Sequence, residues 1–135
     1  MVKPILLILS MLLTASCSST EPEEEPFSNE RALVGSWQRF LVSDQVQALL
    51  HFQESGAYSV SYGPLTPEGT YRFDSGGLLI VEDEGCGMFE GVYATTFMAQ
   101  GDSLLLEVIE DGCQIRETRW PGAWTRVGVV QEVQR

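Results

Sequence analysis

Basic residues are scarce in this chain of 135 residues. Lysine and arginine together number 8, against 19 aspartates and glutamates, so the net charge is -11 at pH 7. The only lysine is Lys3 and the only histidine is His51. A surface this acidic repels phosphate groups. We therefore expect neither nucleic acid nor anionic phospholipid head groups as partners.

The sequence motifs of the common enzyme classes are also missing. The chain has no G-x-S-x-G turn, no H-E-x-x-H pair, no phosphate-binding glycine loop and no dinucleotide-binding fingerprint. A Ser-His-Asp triad would have to use His51, which lies on the strand face opposite that of Phe52, and no nearby serine sits on a turn that exposes it. We therefore predict that the protein is not an enzyme and has no cofactor.

No apolar run is long enough to span a bilayer, which takes roughly twenty residues. The longest extends from Pro4 to Leu13 and follows a positively charged start, which is typical of a secretory signal. It is followed by Thr14-Ala15-Ser16-Cys17, which resembles the lipobox of bacterial lipoproteins, although threonine stands where leucine or valine is usual. The resemblance implies cleavage after residue 16 and lipid attachment at Cys17. The alternative is a plain cleaved signal.

The lipoprotein resemblance divides the start of the chain into a signal peptide, residues 1–16, and a lipidated cysteine with its tether, residues 17–27. The tether is rich in glutamate, serine and proline, a composition that predicts a flexible segment. Ser18 after the cysteine implies sorting to the outer membrane, with its periplasmic or surface face left open. Without Lys3, seven arginines oppose nineteen acids, and the side-chain charge is near -12.

Two cysteines remain after Cys17, namely Cys86 and Cys113. An even remainder in an exported protein suggests a disulfide, which would enclose about 26 residues. Such a bridge contributes roughly 3 kcal/mol in the chain-entropy account. The alternative is two unpaired buried thiols. Neither a C-x-x-C pair nor a nearby histidine completes a tetrahedral metal site with them.

The domain from residue 28 to residue 130 is predicted to be all-β, and residues 131–135 form a tail. A short helical turn at residues 29–34 precedes segments in which apolar and polar residues alternate, as in β-strands. These segments are 37–42, 46–53, 58–62, 71–73, 78–81, 91–98, 103–109 and 114–120. Short turns between them imply antiparallel neighbours. An eight-stranded meander avoids exposed edges by closing into an up-and-down barrel.

Residues spread over nearly the whole domain resemble the lipocalins, in particular the lipocalin-like domains of small bacterial lipoproteins. The helical turn followed by Gly35-Ser36-Trp37 is similar to the Gly-x-Trp signature that opens that family. The later matching elements are Phe52, Ser55-Gly56, Tyr58, Gly69-Thr70-Tyr71, Leu78 to Val81, Asp111-Gly112-Cys113, Arg116 and Trp124-Thr125-Arg126. In that family the tryptophan closes the barrel base and a late arginine packs across its ring. The resemblance implies Gly35, Trp37 and Arg126 for this closure, with Arg116 as the second choice.

The interior of an eight-stranded barrel is just filled by side chains or holds one small molecule. Seven aromatic residues lie on predicted apolar strand faces: Phe52, Tyr58, Tyr62, Tyr71, Phe73, Tyr93 and Phe97. They either line a cup for a small apolar or amphipathic ligand or plug the lumen. We predict a monomeric binding module of the cell envelope. The alternative is a filled barrel that acts as a structural or protein-interaction module, such as an inhibitor of an envelope protein.

Alternate connections of a meander emerge at the same end, so Cys86 in the fifth and Cys113 in the seventh would meet at one rim. The same rim collects five carboxylates: Glu82, Asp83, Glu84, Glu110 and Asp111. Carboxylate oxygens bind calcium, but the spacing matches no EF-hand loop, and we predict no metal. Arg116 and Arg119 lie close by. A buried arginine could receive a ligand carboxylate, although pairing with one of the many acids is the favoured reading.

Overall fold

The computed structural model describes residues 28–87 and 89–128. The signal peptide, the lipidation of Cys17, the acidic tether and the tail at 131–135 lie outside the described residues. These four predictions therefore stay predictions.

The described chain is a closed barrel of eight antiparallel strands, which confirms the predicted fold class. Each strand pairs with the next in sequence, and β1 pairs with β8 through Trp37↔Arg126 and Gln38↔Thr125. The elements are α1 (Asn29–Leu33), β1 (Gly35–Leu41), β2 (Val46–Phe52), β3 (Ala57–Tyr62), β4 (Glu68–Phe73), β5 (Leu79–Asp83), β6 (Gly91–Met98), β7 (Ser103–Asp111), α2 (Gln114–Arg119) and β8 (Gly122–Arg126). Two single-turn 3-10 helices, Glu84–Cys86 and Ala99–Gly101, precede β6 and β7.

The alternation of the sequence decides which face of each strand points inward. Along β3, Tyr58, Val60 and Tyr62 are buried, whereas Ser59 and Ser61 lie on the outer face. The same period of two runs along β2, β4 and β5, whereas the second half of β7 is exposed at four successive residues. The inward faces of the strands together give one core inside the barrel. Eight strands make a lumen that side chains of this size can fill.

The predicted eighth strand at 114–120 is wrong, because residues Gln114–Arg119 form the helix α2. The eighth strand is instead Gly122–Arg126, so the count of eight is unchanged. Six residues are too few to display a helical period, and a segment of alternating polarity that short fits either structure. Two signals were present in the sequence. Arg116 and Trp120 stand four residues apart, which puts them on one helical face, and Pro121 marks the helix end.

The two ends of the barrel are named here after their helices. The α2 end holds the connections at residues 42–45, 63–67, 84–90 and 112–121, and the α1 end holds those at 53–56, 74–78 and 99–102. The described chain begins at Ser28 and stops at Gly128, both at the α1 end. The α2 end is therefore the end opposite the first and last described residues.

Candidate binding site at the α2 end

The α1 end is closed by the contact of Trp37 with Arg126. The Arg126 guanidinium lies 4.2 Å from the centre of the Trp37 ring. It also donates hydrogen bonds to the carbonyl oxygens of Ala32, Val34 and Gly101, at 2.6, 3.0 and 3.1 Å. A cation–π contact of this kind stabilises by about 0.5 to 2 kcal/mol, depending on burial. This contact between β1 and β8 is structural.

Gly35 belongs to the same closure, and Arg116 does not. Gly35 has φ +125°, and a Cβ there would lie 2.9 Å from Nη1 of Arg126, so a side chain would push the guanidinium off the ring. The second choice for the stacked arginine, Arg116, is wrong because α2 carries it to the opposite end. Trp37 is held from the other side, where its indole N–H donates to the Leu33 carbonyl oxygen at 2.9 Å.

Arg116 is the centre of a buried charge network at the α2 end. Its side chain enters the barrel between two carboxylates and is only 1% exposed. Nε and Nη2 donate to the two carboxylate oxygens of Asp111 at 2.7 and 2.8 Å, and Nη1 donates to Asp83 Oδ2 at 2.9 Å. Nη2 also donates to the Phe89 carbonyl oxygen at 2.8 Å. Arg116 thus pairs with acids of its own chain, as the sequence favoured, and is not available to a ligand carboxylate.

Two tyrosine hydroxyls donate further hydrogen bonds to these carboxylates. Tyr58 Oη donates to Asp83 Oδ2 at 2.6 Å, and Tyr93 Oη donates to Asp111 Oδ2. Burial raises the pKa of both hydroxyls, and the hydrogen bond to each aspartate raises the pKa further. Burial alone would lower the pKa of the Arg116 guanidinium, but the hydrogen bonds and charge of Asp111 outweigh it, and the net pKa is raised. At neutral pH the tyrosines stay protonated and Arg116 stays charged.

Gly91 on β6 leaves room for this network because it has no side chain. A Cβ at this position would lie 2.6 Å from Asp111 Oδ2 and 2.9 Å from Arg116 Nε. Both distances are too short for real atoms, so any side chain would displace the guanidinium from the carboxylate. The sequence signal was a glycine at the start of an otherwise regular strand, which marks the close approach of another group.

Trp120, just after α2, fills the lumen beneath Arg116. Its ring centre lies 5.3 Å from that of Tyr58, 5.6 Å from that of Tyr93 and 6.3 Å from that of Phe52. Its indole N–H donates to Tyr62 Oη at 2.5 Å. Burial raises the pKa of Tyr62, against the opposing effect of that hydrogen bond. The segment after β7 therefore plugs the barrel with an aromatic ring and a paired charge.

The seven candidate ligand-lining aromatics are part of this filled core. Phe52, Tyr58, Tyr62 and Tyr93 are buried in it, and Tyr71, Phe73 and Phe97 pack against it, half-buried. They touch one another and the tryptophans, as in the edge-on contact of Phe52 and Tyr71, with ring centres 5.0 Å apart. Of the two readings left open by the sequence, the packing fits the plugged lumen.

The disulfide between Cys86 and Cys113 is present, as predicted, with its Cα atoms 5.4 Å apart. It joins the fifth and seventh connections at the α2 end. The aspartates of the charge network also hold the main chain at both cysteines. The backbone N–H of Cys86 donates to Asp83 Oδ1 and that of Cys113 donates to Asp111 Oδ1, each at 2.9 Å. The covalent and ionic links therefore hold the same two segments together.

The acidic rim does not form a metal site within residues 28–87 and 89–128. No group of three or more histidine, cysteine, aspartate or glutamate side chains is arranged there to hold an ion. Asp83 and Asp111 point inward to Arg116, whereas Glu84 and Glu110 are exposed on the outside. The inward turn at two of the five positions separates Asp83 and Asp111 from the exposed Glu84 and Glu110.

His51 has a serine partner that the sequence analysis missed. Ser36 and His51 are directly opposite in the β1–β2 ladder, and Ser36 Oγ lies 2.8 Å from Nδ1 of His51. The register of the two strands brings together residues fifteen apart, and Ser36 lies on a strand rather than on an exposing turn. The pair lies on the outer face of the barrel, since its neighbours Trp37 and Phe52 point inward.

An apolar cleft opens beside the charge network at the α2 end. It has a volume of about 330 Å³ and is bounded by the 63–67 connection, the 84–90 connection and α2. Its lining includes Tyr62, Leu65, Pro67, Cys86 and Ile115, with Asp83 and Arg116 at its base. Both charged groups are already paired with each other, so the cleft offers mainly apolar contact. Its size lies at the lower end of the range of small-molecule sites.

Two further clefts differ from this one in their charge. An acidic cleft of about 400 Å³ adjoins it and is lined by Glu68, Gly69, Thr70, Glu82, Asp83 and Glu84. A wider cleft of about 720 Å³ lies beside α1, where Tyr71 and Phe73 contribute to a lining that also contains Glu30, Arg31, Glu54 and Arg72. The mixed charges of the α1 cleft make it a poor site for an apolar molecule.

Comparison of the chain with protein-family models gave no match, and comparison with curated proteins gave none either. Within the part of the chain that the structure describes, neither helix is long and apolar enough to cross a membrane. The small β-barrel itself is compatible with a lipocalin-like binding module.

Proposed function

We propose that this protein is a lipid-anchored lipoprotein of the bacterial envelope whose barrel binds a small apolar or amphipathic molecule at the α2 end. The observation that supports this binding site is an apolar cleft of about 330 Å³ at the α2 end. The cleft lies just outside the lumen, which is occupied by core side chains. Binding rather than catalysis is proposed because the chain lacks the common catalytic motifs. The anchor is proposed from the lipobox at Cys17, with the outer membrane as its location.

Thr66 offers a way to fill the apolar cleft without touching the core, because it lines the cleft and is exposed. Thr66→Trp should occupy the space of the ligand. Thr125→Trp is the matched control, since Thr125 is exposed on β8 and does not line this cleft.

Native mass spectrometry of the exported chain, produced with Cys17→Ser to prevent lipidation, tests the proposal. A one-to-one adduct in the parent chain and in Thr125→Trp, lost in Thr66→Trp, supports it, and solvent extraction then identifies the class of ligand. A clean apo mass, also after incubation with envelope lipids, contradicts it. An adduct retained by Thr66→Trp places the ligand elsewhere.

The second candidate is a protein-interaction module, and exposed apolar side chains at the same end favour it. Leu65, Phe89 and Ile115 are 57%, 60% and 47% exposed around the disulfide. Single exposed apolar residues are ordinary, but several at one end form a surface that a partner protein can cover. A clean apo mass would make this the better account of the barrel.

A further inference from the structure

The apolar cleft and the acidic cleft are the two sides of one ridge. Pro67 lines the first and Glu68 the second, Gly85 lines the first and Glu84 the second, and Asp83 belongs to both. A molecule that lies across residues 67–68 and 84–85 therefore contacts an apolar surface at one end and carboxylates at the other.

Three of the four carboxylates that line the acidic cleft are not neutralised by neighbouring arginines in the described residues, and the fourth, Asp83, is paired with Arg116. Glu68, Glu82 and Glu84 make no ion pair there, because the salt bridges join Arg72 to Glu90, Arg116 to Asp83 and Asp111, and Arg119 to Asp44. Arg39 and Arg126 are used by backbone carbonyl groups. The negative charge of the cleft is therefore available to an incoming cation.

We infer that the α2 end binds a cationic amphiphile, with its apolar part in the apolar cleft and an ammonium or guanidinium group against Glu68, Glu82 and Glu84. The inference rests on the proposed function and names the ligand class. A cation lowers the mutual repulsion of the three carboxylates, whereas the carboxylate of a fatty acid would add to it. Charge complementarity thus excludes anionic lipids at a site that would otherwise accept any short alkyl chain.

Three probes that share an octyl chain test the head-group preference: octyltrimethylammonium, octyl glucoside and octanoate. Each is titrated by calorimetry below its micelle-forming concentration, into the chain produced with Cys17→Ser. The cationic probe should bind roughly tenfold more tightly than octanoate, because exposed ion pairs each contribute modestly. Since salt screens exposed charges, the preference should shrink as ionic strength rises.

Two double variants separate the cleft from the overall charge of this acidic protein. Glu82→Gln with Glu84→Gln should reduce the cationic preference at least threefold and leave the affinity for octyl glucoside unchanged. Glu54→Gln with Glu107→Gln removes the same charge from exposed positions outside both α2-end clefts and should keep the preference.

The possible failures are distinguishable. Equal binding of the three probes, or tighter binding of octanoate, overturns the cationic assignment and leaves the proposed function intact. An equal loss of preference in both double variants overturns it as well, because net charge alone would then explain the effect. Failure of all three probes to bind contradicts the proposed function and the cationic assignment together.

Discussion

Arg116 illustrates what a single residue can and cannot disclose in a sequence. Its pairing with acids was predictable because acids outnumber basic residues more than two to one. Its burial was not, because a charged side chain is expected inside a core only when its partners are known to be there. Asp111 is 5 residues from Arg116 in the chain, but Asp83 is 33 residues away. Only the closed barrel brings Asp83 to the same guanidinium.

The tyrosines give this network a testable pH dependence. Burial raises the pKa of Tyr58, Tyr62 and Tyr93 above the ordinary value of 10.0. Above pH 10 the unfolded chain loses these protons while the folded chain keeps them, so the contribution of these tyrosines to stability is constant below pH 10 and falls as pH rises above it. Each tyrosine should contribute a slope of about 1.4 kcal/mol per pH unit. Phenolate absorbance should rise together with the loss of circular dichroism.

Tyr62→Phe provides the matched comparison, because it keeps the buried ring and removes one titrating group. The alkaline slope of this variant should be smaller than that of the parent chain by the share of one tyrosine, about 1.4 kcal/mol per pH unit. Reversible titration of two or more tyrosines near pH 10, with the circular dichroism intact, would contradict the buried network.

At the scale of elements, the strands were predictable and α2 was not. Strands of five to nine residues with one buried face carry their own period of two, so β1 to β7 were evident from the sequence. Helix α2 makes barely two turns, and both its buried residue Arg116 and the adjoining Trp120 are held by the barrel. Tertiary contacts rather than local propensity therefore stabilise it. The disulfide was predictable because only two cysteines remained after Cys17.

Reduction of the Cys86–Cys113 disulfide tests how α2 is held. It should lower the melting temperature by about 10 to 20 °C, which corresponds to a loss of roughly 3 kcal/mol in a domain of this size. The reduced protein should still unfold cooperatively, because Arg116 continues to join Asp83 to Asp111. Thermal melts with and without reductant provide the measurement.

Cys86→Ala with Cys113→Ala is the control for that experiment. This variant should melt near the temperature of the reduced parent and should not respond to reductant. A melting temperature that reduction leaves unchanged would show that the bridge adds no stability in solution. Non-cooperative unfolding of the variant would mean that the ionic links alone do not hold α2.

At the scale of the whole molecule, closure into a barrel followed from the pattern of short turns, but the contents of the lumen did not. Alternation predicts that a strand has a buried face, and does not state whether a neighbouring segment enters the space enclosed. Here the segment after β7 enters it with Arg116 and Trp120. The binding surface that we propose therefore lies not in the lumen but at the rim, where no strand period could have predicted it.

Both termini of the described chain lie at the α1 end, and this gives the proposed anchor a direction. Residues 17–27 can span at most about 40 Å, so a lipid on Cys17 would hold the α1 end of the barrel within about that distance of the membrane. Cys17→Ser should therefore move the protein from the membrane fraction to the soluble fraction. Ser18→Ala, at the neighbouring position, should stay with the membrane. Tight membrane association of Cys17→Ser would contradict the anchor, and with it the attachment of the barrel through its α1 end.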